Sequence, residues 1–63
     1  MISESEFIKL VGNRANIYFE DGEIWLNVKS FEAYPPDEDG DEPIIMYDSI
    51  VIRPSEIKYI EII

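Results

Sequence analysis

Residues 14–29 read Arg-Ala-Asn-Ile-Tyr-Phe-Glu-Asp-Gly-Glu-Ile-Trp-Leu-Asn-Val-Lys, and this stretch decides the fold class. Ala15, Ile17 and Phe19 alternate with Arg14, Asn16, Tyr18 and Glu20, the period of two that marks a strand with one buried face. Asp21-Gly22 then supplies the residue pair of a tight hairpin turn. Alternation resumes with Ile24, Leu26 and Val28 on one face and Trp25, Asn27 and Lys29 on the other. The stretch is therefore an antiparallel hairpin, and the domain built around it is mostly β.

Upstream, Ser3 and Glu6 have capping-box spacing, and Phe7, Leu10 and Val11 share one helical face. A short helix over about residues 3–11 is expected, stopped at Gly12, because glycine takes the left-handed conformation without a Cβ clash. Downstream, the alternation slips at Ser30 and Phe31, where a bulge or sharp bend would curve the sheet. A further short strand ends at Pro35 and Pro36. The acidic run at residues 37–42, closed by Pro43, reads as an exposed loop over about residues 35–43. Residues 44–53 form a long apolar strand, bent near Asp48-Ser49. After a turn at Pro54-Ser55, the last strand carries apolar residues on both faces: Ile57, Tyr59, Ile60, Ile62 and Ile63. A last strand of this kind invites a second chain to pair with it.

The chain has 63 residues, so it forms a single domain with a thin core, one that hides roughly 60% of the unfolded surface. With no cysteine and no histidine, the usual disulfide and zinc staples are missing, which leaves self-association as the way to bury more apolar surface. Fourteen Asp and Glu against five Lys and Arg give a net charge of −9, a surface that repels phosphate on average. No stretch has the roughly 20 apolar residues of a membrane span, and residues 1–11 carry Glu4 and Glu6 where a signal peptide would be basic and then apolar. The expected location is the cytoplasm, away from membranes.

A helix followed by about five curved strands resembles the Sm-like (LSm/Hfq-type) family, and the likeness reaches individual residues. Its first motif has a glycine, alternating apolar residues, a second glycine ten positions on, and an apolar stretch ending in an acidic residue. Here these are Gly12, then Ala15, Ile17 and Phe19, then Gly22, and Ser30-Phe31-Glu32, with Glu32 in place of the usual aspartate. Its second motif is an apolar strand ending in Ile-Arg-Gly, a short turn, and Ile-x-Tyr-Ile. Residues 50–60 read Ile-Val-Ile-Arg-Pro-Ser-Glu-Ile-Lys-Tyr-Ile, with Pro54 at the glycine position.

The resemblance implies a strongly bent, five-stranded antiparallel SH3-like open barrel, and a homo-oligomeric ring of five to seven copies. The apolar last strand supplies the contact expected between copies, through Ile57, Tyr59, Ile60 and Ile62. The resemblance also implies association with single-stranded RNA through pore-side loops, with Tyr34 at the base-stacking position, Arg53 at the position that closes the pocket, and Glu32 beside them. Pro36 stands where the family has an asparagine and offers no side-chain hydrogen bond to a base edge.

Each residue also has a plainer role. Tyr34 could pack over the end of the barrel, Arg53 could pair with Glu56 or Asp48, and Trp25 fits a packing or interface anchor better than a ligand platform. The acidic run fails as a calcium loop, because its glycine is out of register and no glutamate stands at the required later position. Without histidine, cysteine or a serine set in a base motif, the sequence offers no catalytic residues, no metal ligands and no cofactor site, and an enzyme is not expected. The alternative to an RNA-associated ring is an acidic ring or scaffold that has lost the RNA site and binds a basic protein partner. A monomeric SH3-like barrel that binds peptides is a third reading, one that leaves the apolar last strand unexplained.

Overall fold

The computed structural model describes residues 1–29, 32–36 and 42–63. One short helix, α1 (Glu4–Ile8), precedes six strands: β1 (Arg14–Phe19), β2 (Ile24–Lys29), β3 (Ala33–Tyr34), β4 (Ile44–Tyr47), β5 (Ile50–Ile52) and β6 (Ile57–Ile62). The domain is mostly β, as the alternation in residues 14–29 predicts. The strands form two three-stranded antiparallel sheets, ordered β2-β1-β6 and β3-β4-β5, and the described residues make no closed barrel.

The helix starts as its capping signal requires. Ser3 Oγ accepts the Glu6 amide at 3.2 Å, and the first helical bond runs from the Phe7 amide to the Ser3 carbonyl. After five residues the turns tighten: the amides of Lys9, Leu10 and Val11 each bond three residues back. Gly12, at φ +78°, ends the element. The α-helix is thus shorter than residues 3–11, although Phe7 and Leu10 are both fully buried as its pattern implies.

Between β1 and β2 the chain reverses through Glu20, Asp21 and Gly22, with Gly22 at φ +92° and the Glu23 amide bonded to the Asp21 carboxylate at 2.9 Å. The strand that follows does not keep simple alternation. Ala15 pairs with Val28 but Ile17 with Trp25, so β2 carries one extra residue, and Asn27 sits there at φ +55°. Its amide, thrown out of the ladder, donates to Asn16 Oδ1 at 2.9 Å. This bulge puts Trp25 and Val28 on the core side together and leaves Ile24 and Leu26 outside, 53% and 65% exposed. The expectation that Ile24, Leu26 and Val28 share one face, with Trp25 on the other, is corrected accordingly. The bend expected at Ser30 and Phe31 lies outside the described residues, as does the greater part of the acidic loop, residues 37–41.

A second correction concerns residues 44–53. They form a hairpin and not one bent strand: Tyr47 pairs with Ile50 across a two-residue turn, with Asp48 at φ +55°. Short polar side chains tolerate that left-handed conformation. This reversal is why six strands are found where five are expected.

A third irregularity shapes β6. Tyr18 pairs with Tyr59 but Phe19 with Ile57, so Lys58 is the unpaired extra residue, and Ile57 and Ile60 both turn toward the core. The core itself joins Phe7 and Leu10 of the N-terminal segment, Ala15, Ile17, Phe19 and Ile57 of the first sheet, and Ile45 and Ile52 of the second, with Ile2 at its margin.

Candidate functional site

The two sheets part on the side of β2 to leave an open cleft of about 640 Å³. Among the described residues three aromatics line it: Trp25 from β2, Tyr34 from β3 and Tyr47 from β4. Val28, Met46 and Ile50 add apolar surface, and Lys29, Glu32 and Asp48 bring charge.

Each aromatic ring is held by its neighbours. Trp25 meets Phe19 edge-on at 4.8 Å between ring centroids and Tyr47 at 5.6 Å, and its indole N–H donates to the Glu23 carboxylate at 3.0 Å. The packing role expected for Trp25 is therefore the one it has, with part of the ring left at the cleft wall. The Tyr34 hydroxyl donates to the Glu32 carboxylate, and this hydrogen bond to an anion raises its pKa. Tyr47 differs, since its hydroxyl is buried without a hydrogen-bond partner among the described residues and burial pushes its pKa up to about 12.

The residues expected to contact RNA are only partly brought together. Tyr34 and Glu32 both line the cleft, whereas Arg53 is not part of its wall. Arg53 instead donates to Glu56 at 3.3 Å, one of the two partners the sequence offers it, on an exposed surface where such a pair contributes little. Tyr34 pairs with Ile44 and Ile45 with Ile52, so extended Arg53, one residue beyond β5, falls level with Ile44. Tyr34 and Arg53 thus flank β4 at one end of the second sheet, their backbones about 10 Å apart, or two strand spacings.

The residues expected to join copies also divide. Ile57 is fully buried in the chain's own core and Ile60 is packed against it. Tyr59 and Ile62 remain 46% and 45% exposed, and Ile63 68%. On the outer face, Tyr59 stacks on Tyr18 at 4.2 Å, and the Tyr18 hydroxyl donates to Glu61 at 2.6 Å, which raises the Tyr18 pKa.

Met46, Tyr47 and Asp48 are cleft residues that the sequence does not single out. The signal for them is the Asp48-Ser49 pair between two apolar runs, which turns β4 back on itself and carries its end to the cleft. Among the described residues no group of three or more acidic side chains could hold a metal ion, and no helix is long and apolar enough to cross a membrane. A comparison with protein-family models, curated proteins and solved structures finds no match to this chain.

Proposed function

We propose that this chain is an Sm-like protomer that assembles head to tail into a ring of five to seven copies and serves as an acidic scaffold for a basic protein partner. The observation that carries the ring is the state of two strand edges. β6 pairs only with β1 and β5 only with β4, so each leaves one ladder edge unpaired among the described residues. The two edges belong to different sheets and are joined by one 3₁₀ turn, Pro54–Glu56. Pairing β5 of one copy with β6 of the next is a heterologous contact, which closes into a ring when the rotation allows. On this reading the two sheets are the halves of a bent, open Sm-like barrel.

The acidic balance favours a protein partner over nucleic acid, because affinity for RNA depends on cations that neutralise phosphate. The role in this reading is binding, in the cytoplasm. A second reading, RNA association through Tyr34, Arg53 and Glu32, draws its support from Tyr34 and Arg53 flanking one end of β4. Native mass spectrometry with and without a short uridine-rich RNA separates the two. The scaffold reading expects a ring of five to seven copies without bound RNA. A ring that takes up RNA, and loses it in Tyr34→Ala while keeping its subunit count, supports the second. A monomer overturns both.

A further inference from the structure

We propose that the cleft between β2 and the β4–β5 hairpin binds an arginine side chain presented by a basic peptide segment of a partner protein. This deepens the scaffold reading by naming what the partner offers, but the cleft is built within one chain, so it does not depend on the ring.

The lining fits that occupant in two ways. Trp25, Tyr34 and Tyr47 supply aromatic surface on which a flat guanidinium stacks, and Trp25 is tied down by Glu23 and Tyr34 by Glu32. Rings already held in place lose little freedom on binding. Among the described residues, the charged groups at the cleft are two carboxylates, Glu32 and Asp48, against one ammonium, Lys29, on a chain whose net charge is −9. That balance attracts a cation and repels a phosphate. Arginine suits the site better than lysine, since its planar fork both stacks on a ring and donates two parallel hydrogen bonds to a carboxylate. The cleft volume, within the range of about 300–1,000 Å³ usual for ligand sites, leaves room for the peptide backbone around that side chain.

Trp25 is the only tryptophan in the chain and lines the cleft, so its emission reads occupancy directly. The intact protein is titrated with a capped five-residue peptide carrying two arginines, and with the same peptide carrying neutral citrulline at both positions. We expect a saturable change in Trp25 emission with the arginine peptide and about tenfold weaker binding of the citrulline peptide. Glu32→Gln, which keeps an acceptor for the Tyr34 hydroxyl, and Asp48→Asn, which tolerates the same left-handed backbone, should each weaken binding about threefold. Glu4→Gln removes an equal charge from the helix, away from the cleft, and should leave binding within about twofold.

Equal binding of the citrulline peptide overturns the proposal, as does no saturable response to arginine. A loss in Glu4→Gln as large as in Asp48→Asn also overturns it, because the attraction would then come from net charge. So does a uridine-rich oligonucleotide that saturates the Trp25 signal where the peptide does not. The subunit count of the same sample, taken by native mass spectrometry, reports on the ring separately from the cleft.

Discussion

Tyr47 carries an energetic conflict that a single atom defines. Its ring packs edge-on against Trp25, while its hydroxyl is buried without a hydrogen-bond partner among the described residues. A buried donor left unsatisfied costs about 1–3 kcal/mol, so deleting it while keeping the ring should do no harm. We expect Tyr47→Phe to raise stability by about 1 kcal/mol near neutral pH, read from urea unfolding midpoints. The same burial sets a pH dependence. The hydroxyl titrates at about 12 in the folded chain against an ordinary value of 10.0, so the native state holds its proton more tightly than the unfolded one. The contribution is complete below pH 10 and lost as pH climbs from 10 toward 12. Stability of the wild type should therefore fall faster over that window than that of Tyr47→Phe, and the gap between them should widen. A Tyr47→Phe protein weaker by 1 kcal/mol at pH 7 would mean that the hydroxyl has a partner in solution.

Two elements owe their shape to residues in the left-handed region, Asn27 in the β2 bulge and Asp48 in the β4–β5 turn, both at φ +55°. A residue with a Cβ but no local hydrogen bond loses roughly 1–2 kcal/mol there, and glycine does not. Asn27→Ala and Asp48→Ala should each lower the unfolding free energy by about 1 kcal/mol, and Asn27→Gly and Asp48→Gly by less, measured in parallel urea titrations. Glycine variants as damaging as the alanine ones would place the cost in the lost side chains and not in the backbone. These same two elements mark the limit of what sequence shows. The helix cap at Ser3 and the turn at Asp21-Gly22 are local, each set by residues within a few positions, and both stand where the pattern puts them. The β2 bulge is not local, since its freed amide is satisfied by Asn16 on the neighbouring strand, and only that pairing turns Trp25 inward in place of Ile24 and Leu26. Asp48-Ser49 is a weak turn pair inside a continuous apolar run, so a bend is the natural reading and the reversal is hidden. Tyr34 and Glu32 line the cleft, but Tyr47 and Asp48 arrive there only because the hairpin folds back.

For the whole molecule, exposed area alone does not ask for a partner. The folded chain exposes 4276 Å², close to the roughly 4,200 Å² that size scaling gives a monomer of 7.4 kDa. What asks for a partner is that much of the apolar surface lies on strands with an unpaired edge among the described residues: Ile24 and Leu26 on β2 are 53% and 65% exposed, Ile50 on β5 52%, and Tyr59, Ile62 and Ile63 are exposed on and just beyond β6. Edge strands of proteins that stay monomeric are usually guarded by charge, proline or a bulge. The β6 bulge at Lys58 blunts only the start of its strand and leaves the end at Ile62 open. If copies join there, folding is linked to association, and the urea midpoint must rise with protein concentration. We expect that rise in the wild type across a hundredfold range of concentration. Ile62→Lys should abolish it, because a lysine on the edge opposes pairing while the protomer's own contacts from Ile57 and Ile60 remain. The substitution also removes some packing within the protomer, so the absolute midpoint is the wrong quantity to compare, and the dependence on concentration is the right one. A wild-type midpoint that does not move, together with a native mass of 7.4 kDa, would make the exposed edge a property of a monomer and leave the cleft as the molecule's remaining candidate for binding.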